Sequence, residues 1–418
     1  MDKPGAPLQN CNLERFLGRL LTFLTVLLTP IPLADAHQQP VIPGIEVLLS
    51  EKTHLIRGKR VGLITNHSGV DRKLQHDIDL LASAPEARLT ALFSPEHGIR
   101  GAAQAGVKVR SAVDARTGVP IHSLYGETRR PTPEMLSDID VLVYDIQDIG
   151  SRFYTYISTL GECMQAASER KIPFIVLDRP NPLGGEIIDG PLLDLNFHSF
   201  VGGFAIPVRY GLTPGELAAW IKTNLKLNLE LSVVKMKHWT RAQWYEETHL
   251  LWVPPSPNIP TMASALAYTG MCLLEGTNLS EGRGTTTPFE IAGAPWIDGI
   301  KLAERLSSLA LPGVLFRPVV FTPALSKFSG EACQGVQLHV DNRKSFRPLP
   351  TALAIIEDIR RNYPEQFQFR SAHFDRLAGT DAIRKAMEGN QSAAEIVKTW
   401  QKDLKEFETM RKKFLLYR

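Results

Sequence analysis

The stretch VLVYDIQD, Val141 to Asp148, indicates the fold class. Four apolar or aromatic residues run without a polar interruption, and acids and an amide follow at once. A run that lacks a polar face is typical of a strand buried on both sides in a parallel sheet. Three other runs have the same form: RVGLITN, LTALFSP and FIVLDRPNP. Helix-compatible segments at residues 71–83 and 153–171 separate them, so the sequence predicts βα units around a mostly parallel sheet.

Polar side chains follow each of these four predicted strands. They are Asn66 and His67, then Glu96 and His97, then Asp145 and Gln147, and finally Asp178, Arg179 and Asn181. Ligands of open parallel sheets bind outside the carboxyl ends of the strands, where the loops diverge and leave a crevice. We therefore expect these residues to face one site.

Glu96 is the first candidate for chemistry at this edge. It follows Ser94 and Pro95 at the tip of an apolar strand, and His97 stands beside it. A carboxyl group that is partly desolvated there would keep its proton near neutral pH and could protonate a leaving oxygen. The alternative is a solvated loop glutamate with an ordinary histidine neighbour.

Three further clusters supply acids, amides and arginines. Arg152 belongs to the first, with Asp145 and Gln147, and Glu186 lies in the proline- and glycine-rich loop after Asp178. The segment EGTNLSEGRGTT carries the third, which comprises Glu275, Asn278, Glu281 and Arg283. Arginine can bind a carboxylate in a bidentate pair, and two carboxylates that face one sugar suit glycoside cleavage. An ion pair that fixes a loop, plain turn chemistry and a solvated glycine-rich loop are the respective alternatives.

Several classes of protein are disfavoured. The chain has no GxSxG elbow, no GxxxxGK[ST] loop, no HExxH and no GxGxxG after its first strand, and its four cysteines form no CxxC pair. A net charge of +3 from scattered Lys and Arg does not indicate a nucleic-acid partner. We expect no metal site and no cofactor.

The N-terminus and a proline-rich connector suggest the organisation. Residues 1–36 have the charged, apolar and small-residue regions of a secretory signal, which predicts an exported protein, by preference periplasmic, without stable membrane insertion after cleavage. A retained membrane anchor is the alternative. The connector LWVPPSPNIPT, residues 251–261, predicts a boundary between an N-terminal domain over 45–255 and a smaller α+β domain over 262–418. Residues 204–222 read as strand, turn and helix, with Thr213 as N-cap, and 392–416 as one charged helix.

Five blocks of this sequence together resemble a known family. VGLITNHSGVD, LFSPEHGIRG, VYDIQDIGSRFYTYISTL, LDRPNPLGG and EGTNLSEGRGTTTPFEIAGAPW are similar to the signature blocks of the bacterial exo-β-N-acetylmuramidases. The similarity extends in order from about residue 45 to the C-terminus. It implies a Rossmann-like N-terminal domain, a smaller C-terminal domain and an active site in the cleft between them. The implied reaction releases N-acetylmuramic acid from the non-reducing ends of peptidoglycan fragments in cell-wall turnover or recycling.

The resemblance also implies roles for individual residues. Glu96 matches the family's proposed catalytic acid, and Glu281 and then Glu186 are candidates for the second carboxylate. The lactyl carboxylate of the substrate could bind to an arginine, namely Arg152, Arg179 or Arg283. The acetamido group could bind to an asparagine, namely Asn181, Asn258 or Asn278. It could also act as an internal nucleophile, so the stereochemical course stays open.

Two functions compete with this one. A periplasmic sugar- or muropeptide-binding protein with two α/β lobes would hold the same ligands without cleaving them. An amidase or esterase would act on the peptide or acyl parts of the wall, although the chain lacks the motifs of its common forms.

Overall fold

A mostly parallel sheet organises the computed structural model, which describes Met1, Gly5 and residues 39–101, 103, 104 and 106–418. Its seven strands in the described residues follow the order β3-β4-β2-β1-β5-β6-β7, and every neighbouring pair is parallel except β3 with β4. The strands are β1 (Arg60–Thr65), β2 (Arg88–Ser94), β3 (Ala112–Val113), β4 (Pro120–Ser123), β5 (Val141–Asp145), β6 (Phe174–Leu177) and β7 (Leu231–Val234). The four predicted runs form β1, β2, β5 and β6, which confirms the predicted parallel sheet.

Helices and short 3-10 turns connect these strands. The helices are α1 (Gly44–Glu51), α2 (Asp77–Ala82), α3 (Tyr156–Arg170) and α4 (Pro214–Asn224), and the turns are Thr53–Leu55, Leu195–Phe197 and Tyr245–Thr248. Helix α4 begins as predicted: the Thr213 hydroxyl accepts from the Glu216 N–H, and the Glu216 carboxylate accepts from the Thr213 N–H.

Both faces of the four central strands β2, β1, β5 and β6 are buried, which explains why these strands lack polar alternation. Val141 and Val143 point into the core that contains α1, whereas Leu142 and Tyr144 point into the larger core on the opposite face. The larger core continues without interruption into the C-terminal part of the chain. Phe153, for example, packs edge-on against Tyr268 at a centroid distance of 5.2 Å.

The prediction of a strand within residues 204–210 is wrong. Arg209 instead forms two isolated bridges, one with Ser151 and one with Asp189. Pro207 has no N–H to donate, and the backbone of Arg209 is shared between two partners, so no continuous ladder can form.

The C-terminal part combines helices with a small antiparallel sheet, as predicted for an α+β region. Its three strands in the described residues follow the order β8-β10-β9, and they are β8 (Ile291–Ala294), β9 (Val314–Phe321) and β10 (Cys333–Val340). The helices are α5 (Met262–Met271), α6 (Gly299–Ser308), α7 (Pro348–Asn362), α8 (Ser371–Ala378), α9 (Ala382–Glu388), α10 (Ala393–Thr399) and α11 (Gln401–Arg411), with 3-10 turns at Cys272–Gly276 and Lys412–Phe414.

The single helix predicted over residues 392–416 is divided. Helix α10 ends at Thr399, and α11 begins at Gln401. Trp400 forms the corner between them and is only 2% exposed. The corner therefore places a large aromatic ring in the core, and the amphipathic pattern alone does not show such a bend.

The predicted signal segment, residues 1–36, lies outside the described residues except for Met1 and Gly5. Among the described helices, none combines the length and the apolar composition that a bilayer span requires.

Candidate active site

A pocket opens beyond the carboxyl end of β2. Side chains from the sheet part, from the proline-rich connector and from the C-terminal part line it together: Glu96, His97, Phe153, Tyr154, Thr155, Ser256, Asn258, Ile259, Tyr268, Arg283 and Phe289. Of the described side chains that line this pocket, Glu96 is the only carboxylate.

Two donors hold the Glu96 carboxylate in place. The Gly106 N–H donates to Oε1 at 2.8 Å, and the Thr155 hydroxyl donates to Oε2 at 2.8 Å. Strand β2 ends at Ser94, so Glu96 stands two residues beyond a buried strand. A threonine hydroxyl can donate to a carboxylate or accept from a carboxylic acid. The hydrogen bond with Thr155 can therefore form whether Glu96 is ionised or protonated, as a general acid–base group requires.

His97 adopts an unusual backbone conformation beside this acid. Its φ is 73°, in the left-handed region that residues other than glycine seldom occupy. The side chain is buried, and its Nδ1 lies 2.8 Å from the carbonyl oxygen of Ala103. This contact connects the left-handed backbone at His97 to the loop that supplies Gly106. Backbone strain of this kind is often found at functional sites. We predict that His97, held in this way, helps to orient Glu96.

Four aromatic rings form the walls of the pocket. Tyr268 packs edge-on against Phe153, Tyr154 and Phe289, with centroid distances of 5.2, 5.8 and 4.7 Å. The Tyr154 hydroxyl is buried, and no described group meets it in hydrogen-bond geometry. Burial, followed by the neighbouring phenols and acids, raises the pKa of Tyr154 well above its ordinary value. The phenol of Tyr154 is therefore uncharged near neutral pH.

Arg283 closes the C-terminal side through a compact ion cluster. Its Nε and Nη2 lie 3.0 and 2.7 Å from Glu275 Oε1, and its Nε lies 3.5 Å from Glu281. Lys327 Nζ lies 2.8 Å from Glu281 Oε2. This is an ionic contact, because the angles between the two groups do not meet those of a hydrogen bond. Burial opposes ionisation of Glu275, but Arg283 and His373 outweigh it and lower the pKa of Glu275 to about 2. The two acids and two bases therefore balance in charge.

Comparison with known proteins shows the family. Residues 61–263 match the model described as exo-beta-N-acetylmuramidase NamZ, N-terminal, and residues 266–417 match the corresponding C-terminal model. This chain belongs to the exo-β-N-acetylmuramidase NamZ family. A curated relative, the peptidoglycan beta-N-acetylmuramidase NamZ of Bacillus subtilis (strain 168), is 50% identical over 383 residues, which cover 91% of this chain and 92% of the relative. The resemblance read from the sequence blocks is confirmed.

Two solved structures of DUF1343 family proteins from Bacteroides fragilis NCTC 9343 share the fold. The first is 42% identical with a TM-score of 0.86, and the second is 33% identical with a TM-score of 0.75. Each alignment covers 91% of this chain and 99% of the solved chain. The two-part α/β architecture is therefore common to this NamZ family member and to both solved proteins.

The strand-end residues of this NamZ family chain divide into two groups. Glu96 and His97 line the pocket, whereas the acids after β5 and β6 are buried in contacts with other protein groups. Arg179 forms a bidentate pair with Asp145, and the Arg179 Nη2 to Asp145 Oδ2 distance is 2.9 Å. Asp178 accepts from Thr213, Gly215 and Tyr417 at 2.8, 2.8 and 2.6 Å, respectively.

The predicted amides and His67 also serve mainly as supports. The Asn66 side chain accepts from Ser68, that of Gln147 donates to the carbonyls of Asp148 and Pro180, and that of Asn181 donates to Leu212. His67 Nε2 lies 2.7 Å from the Pro254 carbonyl oxygen, which joins the end of β1 to the connector. Asn258 is the predicted amide that reaches the pocket. Asn278 instead bonds to the backbones of Gln366 and Gln368.

The remaining predicted residues lie elsewhere. Arg152 is fully buried and donates to the carbonyls of Pro191, Ile206, Leu377 and Ala378. Glu281 faces Arg283 and Lys327 rather than lining the pocket, and Glu186 is exposed, with its carbonyl bonded to Arg411. The catalytic roles predicted for Glu281 and Glu186 stay predictions.

Sequence reasoning missed the hydroxyls and rings of the pocket. Thr155, Tyr154 and Tyr268 lie in or next to helices whose apolar pattern is that of core residues. The sequence YTYIS did offer a signal, since four hydroxyl groups in five residues are unusual at the start of a buried helix. Aromatic spacing alone cannot distinguish a wall of a pocket from the core behind it.

Proposed function

We propose that this chain is an exo-β-N-acetylmuramidase that releases N-acetylmuramic acid from the non-reducing ends of peptidoglycan fragments in cell-wall turnover or recycling. Its 50% identity to a peptidoglycan beta-N-acetylmuramidase over nearly the whole of both chains supports the reaction class. The match of both family models supports it independently of any one residue.

The observation that carries the proposal is that Glu96 is the single carboxylate among the described side chains of a pocket that also presents aromatic rings, an amide and an arginine. Glu96 is partly buried, and its hydrogen bonds with Gly106 and Thr155 hold the carboxyl group in one orientation. In our proposal Glu96 protonates the glycosidic oxygen as the bond to the anomeric carbon breaks. Positioning by two hydrogen bonds lowers the entropic cost of reaching that geometry.

The acetamido group of the substrate is our candidate for the nucleophile. Among the described pocket residues no second carboxylate is present, and Glu281 is compensated by Arg283 and Lys327. The Tyr154 hydroxyl and the Asn258 amide lie in the same pocket and could orient the acetamido carbonyl toward the anomeric carbon. Attack by that oxygen would displace the leaving group that Glu96 protonates, and water would then open the cyclic intermediate with retention of configuration.

One experiment tests the reaction. The purified protein is incubated with N-acetylmuramic acid-β-1,4-N-acetylglucosamine, and free N-acetylmuramic acid is sought by mass spectrometry. The matched control replaces the non-reducing muramic acid by N-acetylglucosamine. Release from the muramyl substrate alone supports the proposal. An intact muramyl substrate that nevertheless binds would replace it by the sugar-binding alternative.

The stereochemical course is tested on the same substrate. Proton NMR during the first turnovers should show the β-anomer of N-acetylmuramic acid before mutarotation. Early appearance of the α-anomer would exclude the acetamido group as nucleophile and leave the role of Glu96 in place.

We also propose that the protein acts outside the cytoplasm, by preference in the periplasm. The support is the charged, apolar and small-residue pattern of residues 1–36. Detection of the mature form, cleaved near residue 36, in a periplasmic extract would test this.

A further inference from the structure

Arg129 contacts the rings of Tyr125 and Phe200, and Tyr125 in turn lies beside the Glu96 carboxylate. Arg129 is exposed, and no described carboxylate forms an ion pair with it. The adjacent Arg130 differs, because it pairs with Glu162 and Glu169 on α3. Two neighbouring arginines thus have different surroundings, one satisfied by the protein and the other with its donors available.

Two aromatic rings hold the Arg129 guanidinium in place. Its Cζ lies 4.2 Å from the centroid of the Phe200 ring and 5.6 Å from that of Tyr125. The two rings are themselves 6.1 Å apart. Stacking of this kind fixes the plane of a guanidinium and leaves its edge donors free, which is the arrangement that bidentate recognition of a carboxylate needs.

The ring pair of Tyr125 and Phe200 and the acid Glu96 are both anchored at the start of helix α3. Thr155 donates to Glu96, and Ser158, one turn later in α3, donates to the carbonyl of Phe200 at 2.7 Å. Tyr125 interacts with both charged groups: burial first, and then the Glu96 carboxylate, raise its pKa to about 12, while Arg129 acts in the opposite direction. The position of Arg129 relative to Glu96 is therefore set by packed elements rather than by a free side chain.

The loop beside this ring pair adds positive charge. The Val109 N–H donates to the Tyr125 carbonyl at 2.8 Å, and Lys108 and Arg110 flank Val109. Both flanking side chains are exposed, and within the described residues neither is part of an ion pair. Glu127 is the acid nearest in sequence, but it makes no ion pair with Arg129.

The arginines predicted from the sequence to bind the lactyl carboxylate are already engaged. Arg152 donates to backbone carbonyls in the core, Arg179 pairs with Asp145, and Arg283 pairs with Glu275 and Glu281. Binding an anion at Arg179 or Arg283 would require competition with a buried carboxylate, which is costly. Arg129 has no such competitor.

We propose that Arg129, presented on the Tyr125 and Phe200 rings, is the specificity-determining residue that binds the lactyl carboxylate of N-acetylmuramic acid while Glu96 acts on the glycosidic bond. The inference rests on the proposed function, since it assigns the anion of that substrate. It explains how the enzyme distinguishes muramic acid from N-acetylglucosamine, which lacks the lactyl group.

The test compares two chromogenic substrates that differ in one charge. One is a β-N-acetylmuraminide with a free lactyl carboxylate, and the other is its lactyl primary amide. The wild type should prefer the acid by about tenfold or more in kcat/KM, as expected for a charge-assisted bidentate contact. Arg129→Met should lower kcat/KM for the acid by about 10- to 100-fold, mainly through KM, and change that for the amide less than about threefold.

Two variants complete the test. Arg130→Met removes the neighbouring arginine, which is paired with glutamates, and should leave the preference for the acid intact. Arg129→Lys keeps the charge without the planar fork and should recover part of the loss. An equal loss on both substrates in Arg129→Met, or no preference in the wild type, would overturn the proposal.

Two further arms separate other outcomes. A third substrate carries an acidic dipeptide on the lactyl group. If the wild type prefers this substrate and Arg129→Met loses the preference, the anion that Arg129 binds belongs to the stem peptide. That result would overturn the lactyl assignment. If the wild type cleaves no muramyl substrate, the proposed function fails. Calorimetric binding of N-acetylmuramic acid and of its lactyl amide would then still test Arg129, because only the former should lose affinity in Arg129→Met.

Discussion

Single side chains in the pocket differ in how their polar atoms are used. Both carboxylate oxygens of Glu96 accept hydrogen bonds from the protein, whereas the Tyr154 hydroxyl has no described partner. Protein groups that are buried without a partner are rare and need an explanation. Tyr154 lines the same pocket as Glu96, so a substrate atom is a candidate partner for its hydroxyl.

Replacement of Glu96 by glutamine keeps the shape of the side chain and removes its acidic proton. We expect turnover of the natural disaccharide to fall by about 10²- to 10⁴-fold, the usual contribution of general acid catalysis. A chromogenic β-N-acetylmuraminide with a good leaving group needs less protonation, so its loss should be smaller. Initial rates on both substrates measure this, with Glu406→Gln on the exposed face of α11 as the control. Equal losses would contradict the assignment of Glu96.

The tyrosines at 154 and 156 provide a matched pair. The Tyr156 hydroxyl donates to the Pro255 carbonyl at 2.6 Å, so Tyr156→Phe should cost about 1–2 kcal/mol in the free energy of unfolding. Tyr154→Phe removes a hydroxyl that pairs with no described group and should leave stability unchanged while kcat/KM falls about tenfold. Urea unfolding and steady-state kinetics of both variants measure this. A loss of stability in Tyr154→Phe without a kinetic effect would assign the hydroxyl to the fold.

At the scale of elements, the carboxyl ends of the central strands have separate tasks. The end of β2 supplies the pocket, whereas the ends of β5 and β6 are joined to each other by the pair of Asp145 with Arg179. Arg179 also donates to the Val70 carbonyl at 2.9 Å, so one guanidinium connects three loops. These loops form the support on which the pocket is built.

Arg179→Met should be strongly destabilising. The side chains of Arg179 and Asp145 are 4% and 1% exposed, and removal of the cation leaves a buried carboxylate unpaired. The expected cost is about 3–5 kcal/mol in the free energy of unfolding. The control is Arg72→Met, which breaks a bidentate but partly exposed pair with Glu46 and should cost about 1 kcal/mol or less. Similar urea midpoints for the two variants would show that burial of the pair between Arg179 and Asp145 does not increase its contribution to the free energy of unfolding.

At the scale of the whole molecule, the C-terminus returns to the sheet. The Tyr417 hydroxyl donates to Asp178 at 2.6 Å, and the Leu416 N–H donates to Glu216 at 2.8 Å. Arg411 in addition donates to the carbonyls of Gly185 and Gly211. The last helix and the tail thereby connect the two parts of the chain at a buried acid.

This arrangement predicts a pH dependence of stability. Burial raises the pKa of Asp178 from 3.8 to about 7, although Tyr417 and Gly215 lower it in part. Between about pH 4 and pH 7 the folded state therefore binds more protons than the unfolded state, and the free energy of unfolding should fall as pH rises. The contribution of Asp178 is at most about 1.4 kcal/mol per pH unit.

The pH prediction is checked by urea unfolding at intervals from pH 4.5 to pH 8 for the wild type and Asp178→Asn. The variant cannot ionise, so its curve should be flatter, and the advantage of the wild type should be greatest at low pH. Burial also raises the pKa of Asp148, to about 6, and this residue remains in both proteins. Parallel curves for the two proteins would contradict a proton bound to Asp178 in the folded state.

Local sequence patterns were sufficient to predict the central sheet, the order of its parts and the family. Buried parallel strands must be apolar on both faces, so VLVYDIQD and its three counterparts are recognisable without any long-range information. The capping box at Thr213 is equally local, because its two hydrogen bonds join residues three apart. Glu96 could be singled out for the same reason: a carboxylate at the tip of a buried strand stands out in the chain itself.

Only the tertiary structure decided which polar residues are used by the fold and which face the pocket. Asp145 and Arg179 are 34 residues apart, and Arg152 bonds to carbonyls more than 200 residues away, so their partners cannot be read from local patterns. The same applies to Arg129, whose neighbour Arg130 is identical in type but paired with helix α3. A side chain is available to a substrate when no distant protein group satisfies it, and the folded chain alone determines where those groups lie.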